Sequence, residues 1–257
     1  IRLTYRGDIV WYKRYNTQEL KFATVLANGK FYLSGEHHFY FFDEHGEFLW
    51  GRSVPVGFEN YHKIYDIESF SNGDIGLTGS IDVGPRYCFI SRVDTLGNLV
   101  WTNSFGKSIN SNTTHIGADL EIYDDNAYSF GETREFGGGY GNVPDVFMWK
   151  VNSSGQHQYL RTCGVLNGSS QRRDYPIDFE IDAQGFIYIL VSHSNQYRTS
   201  IIKTNSNFSS QSWDYHYEKE WMKQYELEFD EAGSLFVLGS QFTTNPYKRH
   251  QFRAEIG

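Results

Sequence analysis

Four acidic pairs in this chain share one spacing. Asp66-Ile67-Glu68, Asp119-Leu120-Glu121, Asp178-Phe179-Glu180 and Glu226-Leu227-Glu228 each set two carboxylates around one apolar residue, at nearly the same distance before a tight turn. Side chains alternate along a strand, so both acids of a pair lie on one face and the apolar residue on the other. Carboxylates gathered this way have three uses. They can hold a hard cation such as Ca²⁺, which relieves the mutual repulsion that otherwise raises their pKa values. Two of them in unlike surroundings can work as acid and base. Or each is satisfied by a Tyr, Arg or Lys of a neighbouring unit and fixes packing. Symmetric recurrence favours the last use, because a catalytic pair needs dissimilar environments.

The pairs recur because a longer unit recurs. A turn followed by a strand with an aromatic end reads YRGDIVW (Tyr5 to Trp11), DEHGEFLW (Asp43 to Trp50), DTLGNLVW (Asp94 to Trp101), NSSGQHQY (Asn152 to Tyr159) and NSNFSSQSW (Asn205 to Trp213). Between them lie TVLANGKFYLSG, IESFSNGDIGLTG, LEIYDDNAYSFG, FEIDAQGFIYILV and LEFDEAGSLFVLG, each a strand, a turn and a strand ending in small residues. Asn-Gly in two of these turns is the strongest short hairpin signal. Repetition at a period of roughly fifty residues marks a repeat architecture.

Each repeat holds four short strands, A to D. No stripe of helical period intervenes, so helix content near zero is expected. Five such units predict an all-β fold: a single domain over residues 1–257, built as a five-bladed β-propeller of four-stranded antiparallel blades. Counted from the first A strand (Lys21 to Asn28), the last repeat stops at its C strand (His250 to Ile256). Asp8 to Tyr15 would then supply the missing D strand, so the N-terminal strand completes the C-terminal blade and hides two sheet edges. Ile1 to Tyr5 reads as a second C strand, either a frayed end or a spare strand that pairs with another subunit. With the A strands innermost, the eight carboxylates meet near a central channel, and apolar B and C strands such as Phe186 to Leu190 and Phe39 to Phe42 pack between blades.

Composition agrees with strands and narrows the partners. Aromatic residues make up 18% of 257, beside only two Met and five Pro, a β-biased inventory. The net charge of −8 argues against nucleic acid, which needs a cationic face. No run of 18 apolar residues is present, so no membrane span is expected. The chain opens at Ile1, which fits a processed product or an incomplete segment.

From Gly131 to Gly164 the chain resembles the secreted SBBP-type β-propeller repeat. The matching positions are Gly138, Gly139, Asp145, Phe147, Lys150, Asn152, Gly155, Tyr159 and Gly164, and DTLGNLVW and DEHGEFLW fit the same pattern. The resemblance covers most of the chain at low stringency, and it departs where NSNFSSQSW lacks the Gly. It implies a secreted or surface repeat protein without catalysis.

Four Asn-x-Ser/Thr sequons stand at Asn112, Asn152, Asn167 and Asn207. The first and third fall in D-to-A loops and the others in C-to-D turns, as exposed N-glycan acceptors should. Cys88 and Cys163 allow one bridge, but nothing in their spacing shows that they meet. No CxxC, HxxxH or GxSxG occurs, and GGGYG lacks the helix and Lys of a phosphate loop. The residues therefore point to an extracellular or cell-surface structural or interaction glycoprotein, a subunit of a surface assembly or filament, with other protein subunits as partners, including further copies of itself through the spare terminal strand. The alternatives are a carbohydrate-binding module using Tyr140, Tyr175 and Tyr197, and a glycosidase using the acidic row. Against the glycosidase, the first A strand, Phe22-Ala23-Thr24, lacks a carboxylate. No cofactor is implied beyond the channel Ca²⁺.

Overall fold

A computed structural model describes residues 2–3, 6, 9–11, 13–14, 20–54, 62–83, 86–106, 115–134, 145–163, 174–193, 198–208, 211–217, 222–230, 232–242 and 249–256. These residues hold 21 strands and no helix. An N-terminal ladder pairs β1 (Arg2–Leu3) with β2 (Ile9–Trp11). Five sheets follow. The first is β3 (Phe22–Val25), β4 (Phe31–Ser34), β5 (His38–Phe42) and β6 (Phe48–Ser53). The second is β7 (His62–Ser69), β8 (Ile75–Asp82), β9 (Arg86–Val93) and β10 (Leu99–Phe105). The third is β11 (His115–Tyr123), β12 (Asn126–Thr133), β13 (Asp145–Val151) and β14 (His157–Cys163). The fourth is β15 (Asp174–Ile181), β16 (Ile187–His193), β17 (Arg198–Thr204) and β18 (Gln211–Tyr217). The fifth has three strands, β19 (Met222–Phe229), β20 (Leu235–Phe242) and β21 (Arg249–Ile256).

Every sheet is an antiparallel meander in chain order, and the first strands of successive sheets, β3, β7, β11, β15 and β19, lie side by side. The apolar residues decide this stacking. Each core cluster is shared by two successive sheets. Tyr32, Phe39 and Phe41 pack with Ile64, Ile67 and Leu77. Phe70 and Ile90 pack with Leu120 and Phe147; Phe130 and Met148 pack with Phe179 and Ile189; Tyr188 and Leu190 pack with Leu227 and Val237. The second strands of the middle three sheets are therefore covered on both faces, and seven of the eight residues of β8 are buried.

Fourth strands fasten the outside. Trp50 Nε1 donates to the Thr95 carbonyl at 3.2 Å, Trp101 Nε1 to the Ser153 carbonyl at 3.1 Å, and the Tyr159 hydroxyl to the Ser206 carbonyl at 2.9 Å. Each acceptor lies in the turn between the third and fourth strands of the next sheet. The turns themselves are capped from within. Oδ1 of Asp43, Asp94 and Asn152 accepts two backbone N–H groups two and four residues on. Gly46, Gly97 and Gly155 then take positive φ. In the fourth sheet Phe208 occupies that place with φ 54°, held there by packing on the third-and-fourth-sheet core.

Asn28-Gly29 and Asn72-Gly73 each sit in a hairpin turn, as the dipeptide predicts. Leu26 bonds to Lys30 and Phe70 to Asp74 across three residues, with only the glycine at positive φ. The turn with two central positive-φ residues is Asp124-Asp125, where two short acids tolerate the left-handed region. Phe186 is exposed rather than packed between sheets, while Ile187 to Leu190 are buried. The N-terminal strand β2 pairs with β1, and β21 pairs with β20; no pairing of β2 with β21 occurs among the described residues. The β1–β2 register, Arg2 opposite Trp11 and Leu3 opposite Ile9 with a bulge between, repeats that of Arg92 with Trp101 and Val93 with Leu99.

Candidate functional site

The inner strands carry a bulge immediately before each acidic pair. Register shifts fall between Ile64 and Asp66, Gly117 and Asp119, Pro176 and Asp178, and Gln224 and Glu226. A bulge adds one residue to a strand and re-aims the side chains that follow it. It also brings the inner strand's backbone against the next strand. A Cβ on Gly79 would stand 1.9 Å from the Lys63 carbonyl oxygen, and one on Gly131 would stand 2.0 Å from that of Ile116. The small residues that end the second strands make room for the bulge.

The bulges aim the aspartates at the following sheet. Asp66 Oδ2 accepts the Leu120 N–H at 3.0 Å, Asp119 Oδ2 accepts the Phe179 N–H at 3.0 Å, and Asp178 Oδ2 accepts the Leu227 N–H. In every case the donor is the middle residue of the next acidic pair. The aspartates also meet one another, since the Asp119 carboxyl is hydrogen-bonded to those of Asp66 and Asp178. Burial, then the Asp119 charge, pushes Asp66 well above the usual carboxylate range. The same causes, in the same order, push Asp178 up to about 10. Two carboxylates sharing a site cannot both ionise cheaply, so this chain carries protons at neutral pH.

The glutamates lie one turn of alternation further on. Glu121 is raised well above its ordinary value, first by burial and then by Glu180, Asp119, Glu68 and Asp66. Glu180 is pushed up to about 7 by burial, then by Asp119, Glu228, Glu68 and Glu226. Glu68 accepts from the Thr24 hydroxyl at 3.1 Å and from the Ser69 N–H at 2.7 Å. The structure thus brings Asp66, Asp119, Asp178, Glu68, Glu121 and Glu180 into one electrostatic group, with Glu226 and Glu228 exposed at its edge. Among the described residues, no three His, Cys, Asp or Glu side chains are grouped to hold a metal ion. The expected Arg, Lys and Tyr partners give way to backbone N–H groups and shared protons.

A second buried network escapes the sequence because its members come from three strands. His193 Nδ1 meets Asp174 Oδ1 at 2.6 Å, and Nε2 meets Ser200 Oγ at 2.9 Å. Nucleophile, base and orienting acid share this connectivity in covalent catalysis. Ser200 is fully buried, however, so the network ties β15, β16 and β17 together instead of facing a substrate. Pairs of ordinary residues at no fixed spacing give a sequence reader no signal.

The remaining expectations divide. Asn152 and exposed Asn207 lie in the turns before β14 and β18. Tyr175 is half-buried on β15, and Cys88 is a buried free thiol that burial pushes upward. Asn112, Asn167, Tyr140, Tyr197, Gly138, Gly139 and Gly164 lie outside the described residues, as do the side chains of Trp11, Cys163 and Trp213.

No protein-family model matches the chain, and no curated protein does. Solved structures do. The Dos1 propeller superposes with a TM-score of 0.55 at 10% identity, covering 93% of this chain and 56% of that one. The Pan2 WD40 domain of Neurospora crassa gives 0.57 at 11%, covering 91% and 64%. The exo-β-1,3-galactanase 1,3Gal43A of Clostridium thermocellum gives 0.50 at 12%, covering 98% and 60%. The chain spans between about half and two thirds of the length of these structures. Meanders of four antiparallel strands, stacked by their inner strands and similar to these structures, define the fold as that of a β-propeller.

Proposed function

We propose that the chain is a non-catalytic, extracellular propeller glycoprotein that works by presenting its rim and loops to other proteins, as a subunit of a surface assembly. One observation carries this reading: Asp66, Asp119 and Asp178 make the same hydrogen bond to the following inner strand three times over. Carboxylates engaged in joining strands are held away from substrate chemistry. The resemblance to secreted SBBP-type repeats and the sequons on two rim turns support the extracellular setting.

The five sheets are the blades of this propeller, and the ring closes at the N-terminal hairpin. Two features support that closure. Lys13, just after β2, pairs with Glu47 in the turn before β6, and β1–β2 repeats the register of the other outer hairpins. β2 then stands as the outer strand of the last blade.

The test is a hydrolysis screen with aryl glycosides, run beside intact-mass measurement of protein secreted from eukaryotic cells. No turnover is expected, and the mass should fall on deglycosylation. Turnover that disappears in Glu121→Gln or Glu180→Gln overturns the reading. A second reading, acid–base chemistry on glycosides, is favoured by Glu180, whose value of about 7 suits a proton donor at neutral pH. The same screen decides between them.

A further inference from the structure

The outermost strands differ in one respect around the molecule. β2, β6 and β10 each open with two exposed apolar residues before an indole: Ile9-Val10, Phe48-Leu49 and Leu99-Val100. These six make up most of the ten large apolar side chains exposed among the described residues, and each is 40–66% exposed. At the corresponding places β14 and β18 carry His157-Gln158 and Gln211-Ser212. Both rim sequons, Asn152 and Asn207, stand in the turns leading to those two polar strands. The rim therefore has a polar, sequon-bearing half and an apolar half that no rim sequon touches.

The apolar half is continuous. The Lys13–Glu47 pair joins the N-terminal hairpin to the turn before β6. Trp50 then bonds to Thr95, and Arg52 and Trp50 lie against Gly97, joining β6 to the turn before β10. At the exposures just given, the six residues present on the order of 600 Å², at the top of the range for the largest apolar patch of a monomer and approaching the ~800 Å² each partner contributes to a standard interface. Edge strands are commonly guarded by charge. β6 has Arg52, β14 has Arg161 and β18 has Asp214, but Leu99–Phe105 of β10 has no charged residue.

We propose that this apolar arc is a self-association surface, on which a second copy of the chain seats the same arc across a two-fold axis with the β10 edges facing. A two-fold contact must be self-complementary. Apolar pairs beside an uncharged edge meet that requirement, whereas a charged arc would repel its twin. Each copy carries a net charge of −8, so the pairing strengthens as salt screens the repulsion between the two bodies. This names the partner within the interaction reading above and rests on it.

Sedimentation velocity on the full chain tests the surface. Loading from about 1 to 100 µM should convert monomer to dimer, a range in which interfaces of this size associate. Added salt should raise the dimer fraction. Leu49→Lys with Val100→Lys should raise the dimer dissociation constant at least about tenfold while leaving the thermal midpoint unchanged, and Gln158→Lys on the polar half should change neither. A monomer at every concentration, or a dimer indifferent to the double substitution, overturns the proposal. A monomer that co-sediments with phosphatidylcholine–phosphatidylserine vesicles also overturns it and assigns the arc to a membrane. Persistent absence of glycoside turnover in a monomer would remove self-pairing alone and leave the non-catalytic reading standing.

Discussion

At the residue scale, the aspartates separate two roles that a sequence merges. Asp119 accepts the Phe179 N–H and hydrogen-bonds two other carboxyls. An amide keeps an acceptor and drops the charge; an aliphatic side chain loses both. Asp119→Asn should therefore hold or raise stability, and Asp119→Leu should cost about 2 kcal/mol or more by orphaning a buried donor, as chemical denaturation will show. Equal losses would mean that the acceptor is irrelevant. Gly131 makes a sharper case, since its Cβ would collide with the Ile116 carbonyl. Gly131→Ala should cost about 2–4 kcal/mol through overpacking and backbone shift, and a neutral result would show that the bulge yields. The acidic spacing was legible in the sequence; the identity of its partners was not, because backbone N–H groups leave no mark on composition.

At the scale of the element, the outer hairpin joins a local device to a distant one. The local device is the side-chain cap of Asp94 and Asn152, and the distant one is the indole of the preceding sheet. Asn152→Ala should cost about 1 kcal/mol, and Asn152→Asp almost nothing, because only the acceptor oxygen is needed. Both changes abolish the sequon, so thermal melts of unglycosylated protein separate the cap from the sugar. Strand order was legible here from the five turn-and-aromatic segments, and Trp50, Trp101 and Tyr159 do occupy one register. The hairpins at Asn28-Gly29 and Asn72-Gly73 were legible but the turn length was not, because one dipeptide serves both a two-residue turn and a three-residue turn ending in a positive-φ glycine.

At the scale of the whole molecule, buried acids set the pH response. Asp66, Glu121, Asp178 and Glu180 have folded values above their ordinary ones, so the folded chain binds protons that the unfolded chain releases. That stabilisation is complete below the ordinary carboxylate range and is lost as pH rises through the folded values, about 7 for Glu180 and about 10 for Asp178. His115 runs the other way. Burial lowers it to about 4, so it costs stability only as pH falls below the ordinary histidine value. Above neutrality His115 drops out, and the raised Cys88 thiol adds to the decline only as pH nears the ordinary thiol value, so the melting temperature should drop between about pH 7 and 9. Asp178→Asn should flatten that decline; an unchanged slope would remove Asp178 as its source. Fold class followed from repetition, whereas the pairing of the terminal strands did not, since Leu3 and Ile256 fit one strand position equally well.

The aspartate contacts all point the same way along the chain, from one inner strand to its successor. These three junctions thus draw their acceptor from the earlier neighbour and their donor from the later one. A tandem copy of residues 115–163 inserted in frame would bring both halves of a new joint with it. Growth by duplication is therefore built into the chemistry of the seam, since each added unit carries its own matching bonds.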